Sequence, residues 1–104
     1  MNSEELQVAA FEIILNSGNA RSIVHEAFDA MREGNYALAE EKLKESNDEL
    51  LKAHQSQTHL LQEYAGGKEV HVEIIMVHAQ DHLMTTMTLR EVGLEMLELY
   101  KKIG

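Results

Sequence analysis

The absence of proline from all 104 residues constrains the fold of this chain more than any other feature of its sequence. Proline breaks helices and is common in loops and turns, so a chain without it is free to form long helices. Aromatic residues make up only 5% of the sequence, whereas Ala, Leu, Glu and Met, which are good helix formers, are abundant. β-Branched residues cluster only at 70–77. The sequence therefore predicts an all-α fold whose breaks fall at glycines.

A stripe of apolar and small residues predicts the first helix, because its alternating spacings of four and three keep one face toward a partner. The stripe is formed by Leu6, Ala10, Ile13, Ser17, Ala20, Val24, Ala27 and Met31. It continues in phase across Gly18, so we predict a single helix from about Ser3 to Glu33. Asn2 or Ser3 is suited to cap its first turn.

Gly34 and the segment Ala-Gly-Gly-Lys-Glu at 65–69 predict two turns. They leave a second helix from about Asn35 to Tyr64 and a third from about Glu69 to Lys102. The second helix has a stripe of the same spacing, formed by Tyr36, Ala39, Leu43, Ser46, Leu50, Ala53, Gln57, Leu60 and Tyr64. The pattern at 70–75 also fits a strand, but no second strand exists to pair with it. We therefore predict an antiparallel three-helix bundle in one domain over residues 1–104.

The third helix carries two apolar stripes, although a helix with one partner face needs only one. The first, which we expect to face the other helices, is formed by Ile75, His78, His82, Thr85, Leu89, Val92, Met96, Leu99 and Ile103. The second is formed by Met76, Leu83, Met87, Leu94 and Leu97. Either the helix is sunk between its neighbours, or the second stripe associates with other copies of the chain. A thin bundle of helices ~45 Å long buries little surface alone, which favours an oligomer.

The charge balance excludes several classes of function. Acidic residues outnumber basic residues by 18 to 9, for a net charge of −9 with neutral histidines. Duplex nucleic acid and anionic membranes bind basic surfaces, so we expect neither as a partner. With no cysteine, the chain has no disulfide, thiol nucleophile or thiolate metal site. It shows no apolar run of the ~20 residues that span a membrane and no signal-peptide pattern, so we expect a cytoplasmic protein without membrane insertion.

A polar cluster interrupts the apolar run at 74–87. His78, Asp81 and His82 share one face of the predicted helix, and burying three ionisable groups costs free energy unless they are paired or used. The spacing leaves three interpretations open. In the first, the cluster is a polar layer that fixes helix register in a non-enzymatic interaction module. In the second, His78 and His82 are zinc ligands in a variant of the His-x-x-Glu-His pattern, with Asp in place of the general base and no evident third ligand. In the third, one histidine carries a phosphoryl group.

The string HAQDHLMTTM at 78–87 resembles the IIA component of the lactose/cellobiose/chitobiose family of bacterial sugar phosphotransferase systems. The strings NSGNARS at 16–22 and AHQSQT at 53–58 also resemble this family. The resemblance extends from about Glu4 to Lys101 and agrees with the chain length and the three predicted helices.

The resemblance implies a phosphohistidine relay. The histidine at the position of His78 takes a phosphoryl group from phospho-HPr and passes it to a cysteine of the IIB component. The sugar is then phosphorylated as the membrane IIC component imports it. Ala79 is more similar to the cellobiose/chitobiose branch than to the lactose branch, which tends to have Gly there, so the resemblance favours cellobiose or chitobiose. The source of the phosphoryl group is then a protein, in agreement with the absence of a Gly-rich nucleotide loop.

The resemblance also implies a homotrimer whose third helices pack around a threefold axis. In the family, the aspartate at the position of Asp81 points at this axis, often around a divalent cation. Because oxygen-only ligands favour hard ions, we expect one structural Mg²⁺ per trimer at Asp81.

Several residues are candidates to assist His78. Gln80, His82 and Gln57 are suited to donate hydrogen bonds to phosphoryl oxygens. We expect Arg21 to pair with a nearby acidic side chain instead of binding phosphate.

Overall fold

Three helices make up most of the structure, a computed structural model that describes residues 2–104. They are α1 (Ser3–Arg32), α2 (Tyr36–Ala65) and α3 (Ile74–Ile103), each 30 residues long. No strand occurs within residues 2–104, so the all-α prediction is confirmed. The first helix is continuous through Gly18, as predicted. The predicted single domain over 1–104 includes Met1, which lies outside the described residues.

Asparagine side chains cap the first two helices. The Asn2 side-chain oxygen accepts a hydrogen bond from the backbone N–H of Glu5 at 2.8 Å, and that of Asn35 accepts from Leu38 at 3.2 Å. Gly34 has a φ of 79°, a left-handed conformation that costs glycine little. The chain can therefore reverse within three residues between α1 and α2, as predicted.

The third helix begins five residues later than predicted. Residues 68–73 form no helix, and α3 starts at Ile74 after an extended Glu73. β-Branched residues are weak helix formers, and the side chain of Val70 packs partly buried against the core. The carboxylate of Glu73 accepts a hydrogen bond from the Ser3 hydroxyl at 2.7 Å. These contacts hold 70–73 as neither helix nor strand, so the predicted start at Glu69 is wrong.

Side-chain contacts between the helices indicate the direction in which each helix runs relative to the others. The pairs are Glu26–Lys42 and Glu12–Ser56 for α1 with α2, Leu43–Arg90 and Gln57–Gln80 for α2 with α3, and Ser3–Glu73 and Arg21–Thr85 for α1 with α3. Residue numbers rise along one helix as they fall along the next, whereas they rise together in α1 and α3. The structure measures 52 × 20 × 18 Å, the length of one 30-residue helix with its turns.

The predicted stripes of α1 and α2 form the core. All eight residues of the α1 stripe are buried, together with two further alanines, Ala9 and Ala30. In α2 the stripe is buried from Ala39 to Leu60, while Tyr64 at its end is exposed. Two clusters divide the core along the bundle: one around Leu6, Ile13, Leu50, Leu60 and Leu83, the other around Val24, Met31, Leu43 and Leu97.

The third helix is rotated relative to its prediction. Its buried residues are Met76, Ala79, Leu83, Thr86, Gly93 and Leu97, which include three members of the predicted second stripe. Small residues recur every seven positions on this face, at Ala79, Thr86 and Gly93. A Cβ on Gly93 would lie 3.3 Å from Leu43 Cδ2 and 3.4 Å from Phe28 Cε1. Close helix packing therefore selects the face with small residues, and the predicted inward face is wrong.

The rotation leaves a second set of apolar side chains on the surface. We call this set the outer face of α3; it consists of Ile74, Val77, Met84, Val92, Leu99 and Ile103, all of them exposed. Asp81 and Thr88 lie among them and are also exposed. Within residues 2–104, no helix combines the length and the hydropathy needed to cross a membrane.

The corrected orientation of α3 predicts a difference between two leucine truncations. Leu83→Ala should lower the free energy of unfolding by about 2–5 kcal/mol, because the fully buried side chain leaves a cavity. Leu61→Ala removes the same atoms from a side chain that is 56% exposed, and should cost less than about 1 kcal/mol. Urea unfolding followed by circular dichroism measures both. Equal losses would contradict the assignment of the buried face.

Candidate functional site

Two histidines on adjacent turns of α3 form the centre of the site. The rings of His78 and His82 are parallel to within 2°, with centroids 6.2 Å apart. His78 is exposed, whereas His82 is half-buried. The polar cluster of the sequence thus presents one accessible imidazole, supported from beneath by a second.

The first helix forms the wall beside these histidines. A Cβ on Gly18 would lie 3.7 Å from His82 Nε2, so α1 passes close to that ring. One turn further on, the Arg21 guanidinium donates a hydrogen bond from Nη2 to Thr85 Oγ1 at 2.9 Å. The segment 16–22 and the segment 78–87, which were singled out separately in the sequence, therefore meet in the structure.

Arg21 has no acidic partner within residues 2–104, contrary to the sequence-based expectation. Within residues 2–104, the Lys and Arg side chains that form ion pairs are Arg32, Lys42, Lys44, Lys52, Lys68 and Lys101. Arg21 instead bonds to the neutral Thr85 hydroxyl, and its Nε is buried without a hydrogen-bond partner. The expected pairing is wrong because the side chain lies against α3, where no carboxylate reaches it.

The environment of His82 favours the neutral form of its ring. Burial lowers the pKa of His82 below its ordinary value of 6.5, and the positive charge of Arg21 and the nearby His78 lower that pKa further, against a weaker opposing effect of Asp81. A neutral imidazole has one N–H donor and one acceptor nitrogen. Next to His78, it offers a hydrogen bond without a fixed charge.

The two glutamines lie on another side of α3. Gln57 Nε2 donates a hydrogen bond to Gln80 Oε1 at 3.2 Å, and its side chain is buried between α2 and α3. Residues two apart on a helix do not face each other, so Gln80 points away from His78. The structure brings Gln57 and Gln80 together but does not bring them to the histidine pair; their contact with a phosphoryl group stays a prediction.

Asp81 stands on the outer face of α3, between Val77 and Met84. Within the described residues, no group of three or more His, Asp or Glu side chains is arranged to hold a metal. Asp81 therefore fits a metal site only if copies from other chains supply further carboxylates.

The imidazole of His78 is exposed on the surface of α3. A groove of about 760 Å³ lies between α1 and α2, and none of the predicted site residues is among its lining residues. An exposed imidazole on a rigid surface suits reaction with a second macromolecule, because a large partner can reach it directly.

The fold and the site together define an all-helical protein whose histidine pair on α3 has one accessible ring, that of His78. Residues 8–101 match the family described as "PTS system, Lactose/Cellobiose specific IIA subunit". The chain belongs to this family, so the predicted family is confirmed.

Individual relatives agree with this assignment over nearly the whole chain. The chain is 46% identical over 101 residues to the lichenan-specific phosphotransferase enzyme IIA component of Bacillus subtilis, covering 97% of this chain and 92% of the relative. The crystal structure of PtcA from S. mutans has a TM-score of 0.96 at 85% identity, covering 97% and 99%. The IIA(Chitobiose) protein of Escherichia coli, solved in complex with HPr, has a TM-score of 0.81 at 38% identity, covering 94% and 95%.

The electrostatics of His82 predict its titration. Its NMR midpoint should lie below 6.5, and Arg21→Gln should raise it, because one cause of the lowered pKa is then removed while burial remains. Arg32→Gln removes the same charge at a position paired with Asp29 and should leave His82 unchanged. Since folded His82 binds its proton more weakly than unfolded His82, acidification below pH ~6.5 should destabilise the fold through this residue. A midpoint above 6.5 in the wild type would contradict this account.

Proposed function

We propose that this IIA component carries a phosphoryl group on His78, which it accepts from phospho-HPr and passes to a cysteine of the IIB component. The IIB component then phosphorylates a disaccharide during its import through the membrane IIC component, and this role implies a cytoplasmic location. The observation that carries the proposal is the exposed imidazole of His78 on a continuous helix, stacked against His82. The HPr complex of the Escherichia coli relative supports the choice of donor.

The chemistry requires a neutral, accessible ring nitrogen. In the first transfer, this nitrogen of His78 forms a bond to phosphorus as the bond to the donor breaks, and the donor keeps the electron pair. In the second transfer, the cysteine sulfur of IIB takes the place of the nucleophile and His78 that of the leaving group. Phosphoryl transfer has a loose transition state, so positioning and charge stabilisation supply most of the catalysis. The fixed position of His78 on α3 provides the positioning.

His82 is suited to support the reaction and not to replace His78. It is half-buried with its ring beneath that of His78, where a protein donor has less access. Its neutral ring supplies one hydrogen bond to a phosphoryl oxygen. Gln80 and Gln57 require a change of side-chain orientation to join it.

Two histidine variants test this assignment. After incubation with phosphoenolpyruvate, enzyme I and HPr, the wild type should gain the mass of one phosphoryl group through an acid-labile, alkali-stable bond. His78→Ala should gain none, because the attacking nitrogen is gone, while helicity and assembly remain. His82→Ala should still accept the group. Phosphorylation of His78→Ala but not of His82→Ala would overturn the assignment, and an unmodified wild type would favour the alternative of a non-enzymatic interaction module.

We further propose that the chain assembles as a homotrimer of antiparallel three-helix bundles through the outer face of α3. The order of contacts between helices supports the direction of the helices in each bundle. The exposure of the outer face supports assembly, because a row of large apolar side chains along one helix favours contact with another surface. This is a different row from the second stripe expected from the sequence, which lies mostly inside the bundle.

Asp81 lies within this apolar row and would approach its symmetry mates at the threefold axis. Three desolvated carboxylates repel one another and must share protons or a cation. The donor set consists of oxygens only, which fits Mg²⁺. The ion would neutralise the axis and take no part in the transfer.

Asp81→Leu tests the axial site and the assembly together. The wild type should sediment at neutral pH with about three times the chain mass of 11.8 kDa and contain one Mg²⁺ per trimer. Asp81→Leu should lose the metal and remain a trimer, because a paired buried charge is often no more stabilising than an apolar side chain. The control Asp48→Leu changes an exposed aspartate of α2 and should keep the metal. A monomeric wild type would overturn the assembly; metal retained by Asp81→Leu would overturn the site.

Among the sugars of the family, we propose cellobiose or chitobiose over lactose, on the basis of Ala79. The name of the IIA(Chitobiose) relative of Escherichia coli supports this choice. These sugars are distinguished by measuring the phosphorylation of cellobiose, chitobiose and lactose in a system reconstituted with the matching IIB and IIC components.

A further inference from the structure

We propose that Arg21 binds the phosphoryl group carried by His78, an inference that rests on the proposed function of His78. The guanidinium would hold the dianion during both transfers, with Arg21 acting from α1 on a group attached to α3.

Arg21 is the cation available at the site. Six of the nine Lys and Arg side chains form ion pairs within the described part of the chain. Of the other three, Arg90 donates to the backbone oxygen of Leu43 at 2.9 Å, and Lys102 lies about 36 Å along α3 from His78. Arg21 lies beside the turn that follows His82. The structure therefore leaves one uncompensated guanidinium next to the histidine pair of an acidic protein.

The hydrogen bonds of Arg21 are incomplete without an anion. A guanidinium has five N–H donors in a planar fork that matches phosphate. In this structure Nη2 donates to the neutral Thr85 hydroxyl and Nε is buried without a partner. Hydrogen bonds between two charged groups are stronger than those to a neutral oxygen, so a phosphoryl group would compete for this side chain.

Thr85 can release Arg21 without losing its own hydrogen bond. The Thr85 hydroxyl donates to the backbone oxygen of Asp81 at 2.8 Å while it accepts from Arg21. When Arg21 turns toward His78, this backbone bond remains. Thr85 therefore holds the guanidinium near the histidines in the unphosphorylated chain.

The negative net charge of the protein makes a contact between Arg21 and the phosphoryl group important for the stability of that group. The chain has a charge of −9, and a phosphoryl group adds nearly two further negative charges at neutral pH. Repulsion from the protein favours protonation of the phosphoryl group and its loss. A nearby guanidinium opposes both effects, so it should lower the pKa of the phosphoryl group and speed transfer from HPr.

The test uses the full-length chain phosphorylated by phospho-HPr, with the phosphoryl group titrated by ³¹P NMR and the transfer rate measured by rapid quench. Arg21→Gln should raise the phosphoryl pKa and slow transfer about tenfold, the effect of one charge-assisted hydrogen bond. Arg21→Lys should retain most of the wild-type transfer rate and a phosphoryl pKa close to that of the wild type, because lysine keeps the positive charge. Arg32→Gln, which makes the same change of net charge, should match the wild type in both measurements.

A second variant separates phosphoryl binding from a purely structural role. Thr85→Val removes the observed partner of Arg21 but keeps the guanidinium, so phosphoryl binding predicts a nearly normal phosphoryl pKa. A structural role predicts that Thr85→Val resembles Arg21→Gln, and this result would overturn the inference. An unshifted phosphoryl pKa in Arg21→Gln would also overturn it while leaving His78 as the carrier. A wild type that accepts no phosphoryl group would overturn both proposals.

Discussion

Close packing between small residues determines the arrangement of this bundle. Alanines line the buried face of α1, and Ala79, Thr86 and Gly93 recur every seven residues on α3. These residues bring the helix backbones together and fix the rotation of α3 about its axis. The same rotation exposes His78, half-buries His82 and places Asp81 on the outer face. The properties of the site thus depend on residues that do not belong to it.

The distribution of charge gives the site its second constraint. An acidic protein is a poor environment for a phosphoryl group, and most of its cations are paired with its own carboxylates. Arg21, which has no carboxylate partner within residues 2–104, opposes this unfavourable field from the turn that follows His82. The burial of His82 also avoids a further fixed charge at the site.

The sequence predicted the parts of the structure that depend on local pattern. The α1 stripe, the cap at Asn2 and the turn at Gly34 follow from spacing and backbone preferences, and the string at 78–87 pointed to His78 through its resemblance to a family. The orientation of α3 did not follow, because that helix is apolar on more than one side and hydrophobic spacing alone cannot choose among them. Small size at every seventh position was the missed signal. The partner of Arg21 also depends on how α1 and α3 pack, which no local pattern describes.

The continuity of α3 affects the timing of any reaction at His78. Enzymes that close a loop or a lid over their substrate often turn over at the rate of that movement. Here the imidazole of His78 is exposed on an unbroken helix, so the proposed reaction needs no movement of a loop or lid to uncover it. The rate of phosphoryl transfer at His78 then depends on how often partner proteins meet this surface in the right orientation. For a strongly acidic chain and a basic partner, that frequency rises as ionic strength falls, so the salt concentration of the surrounding solution becomes a determinant of flux.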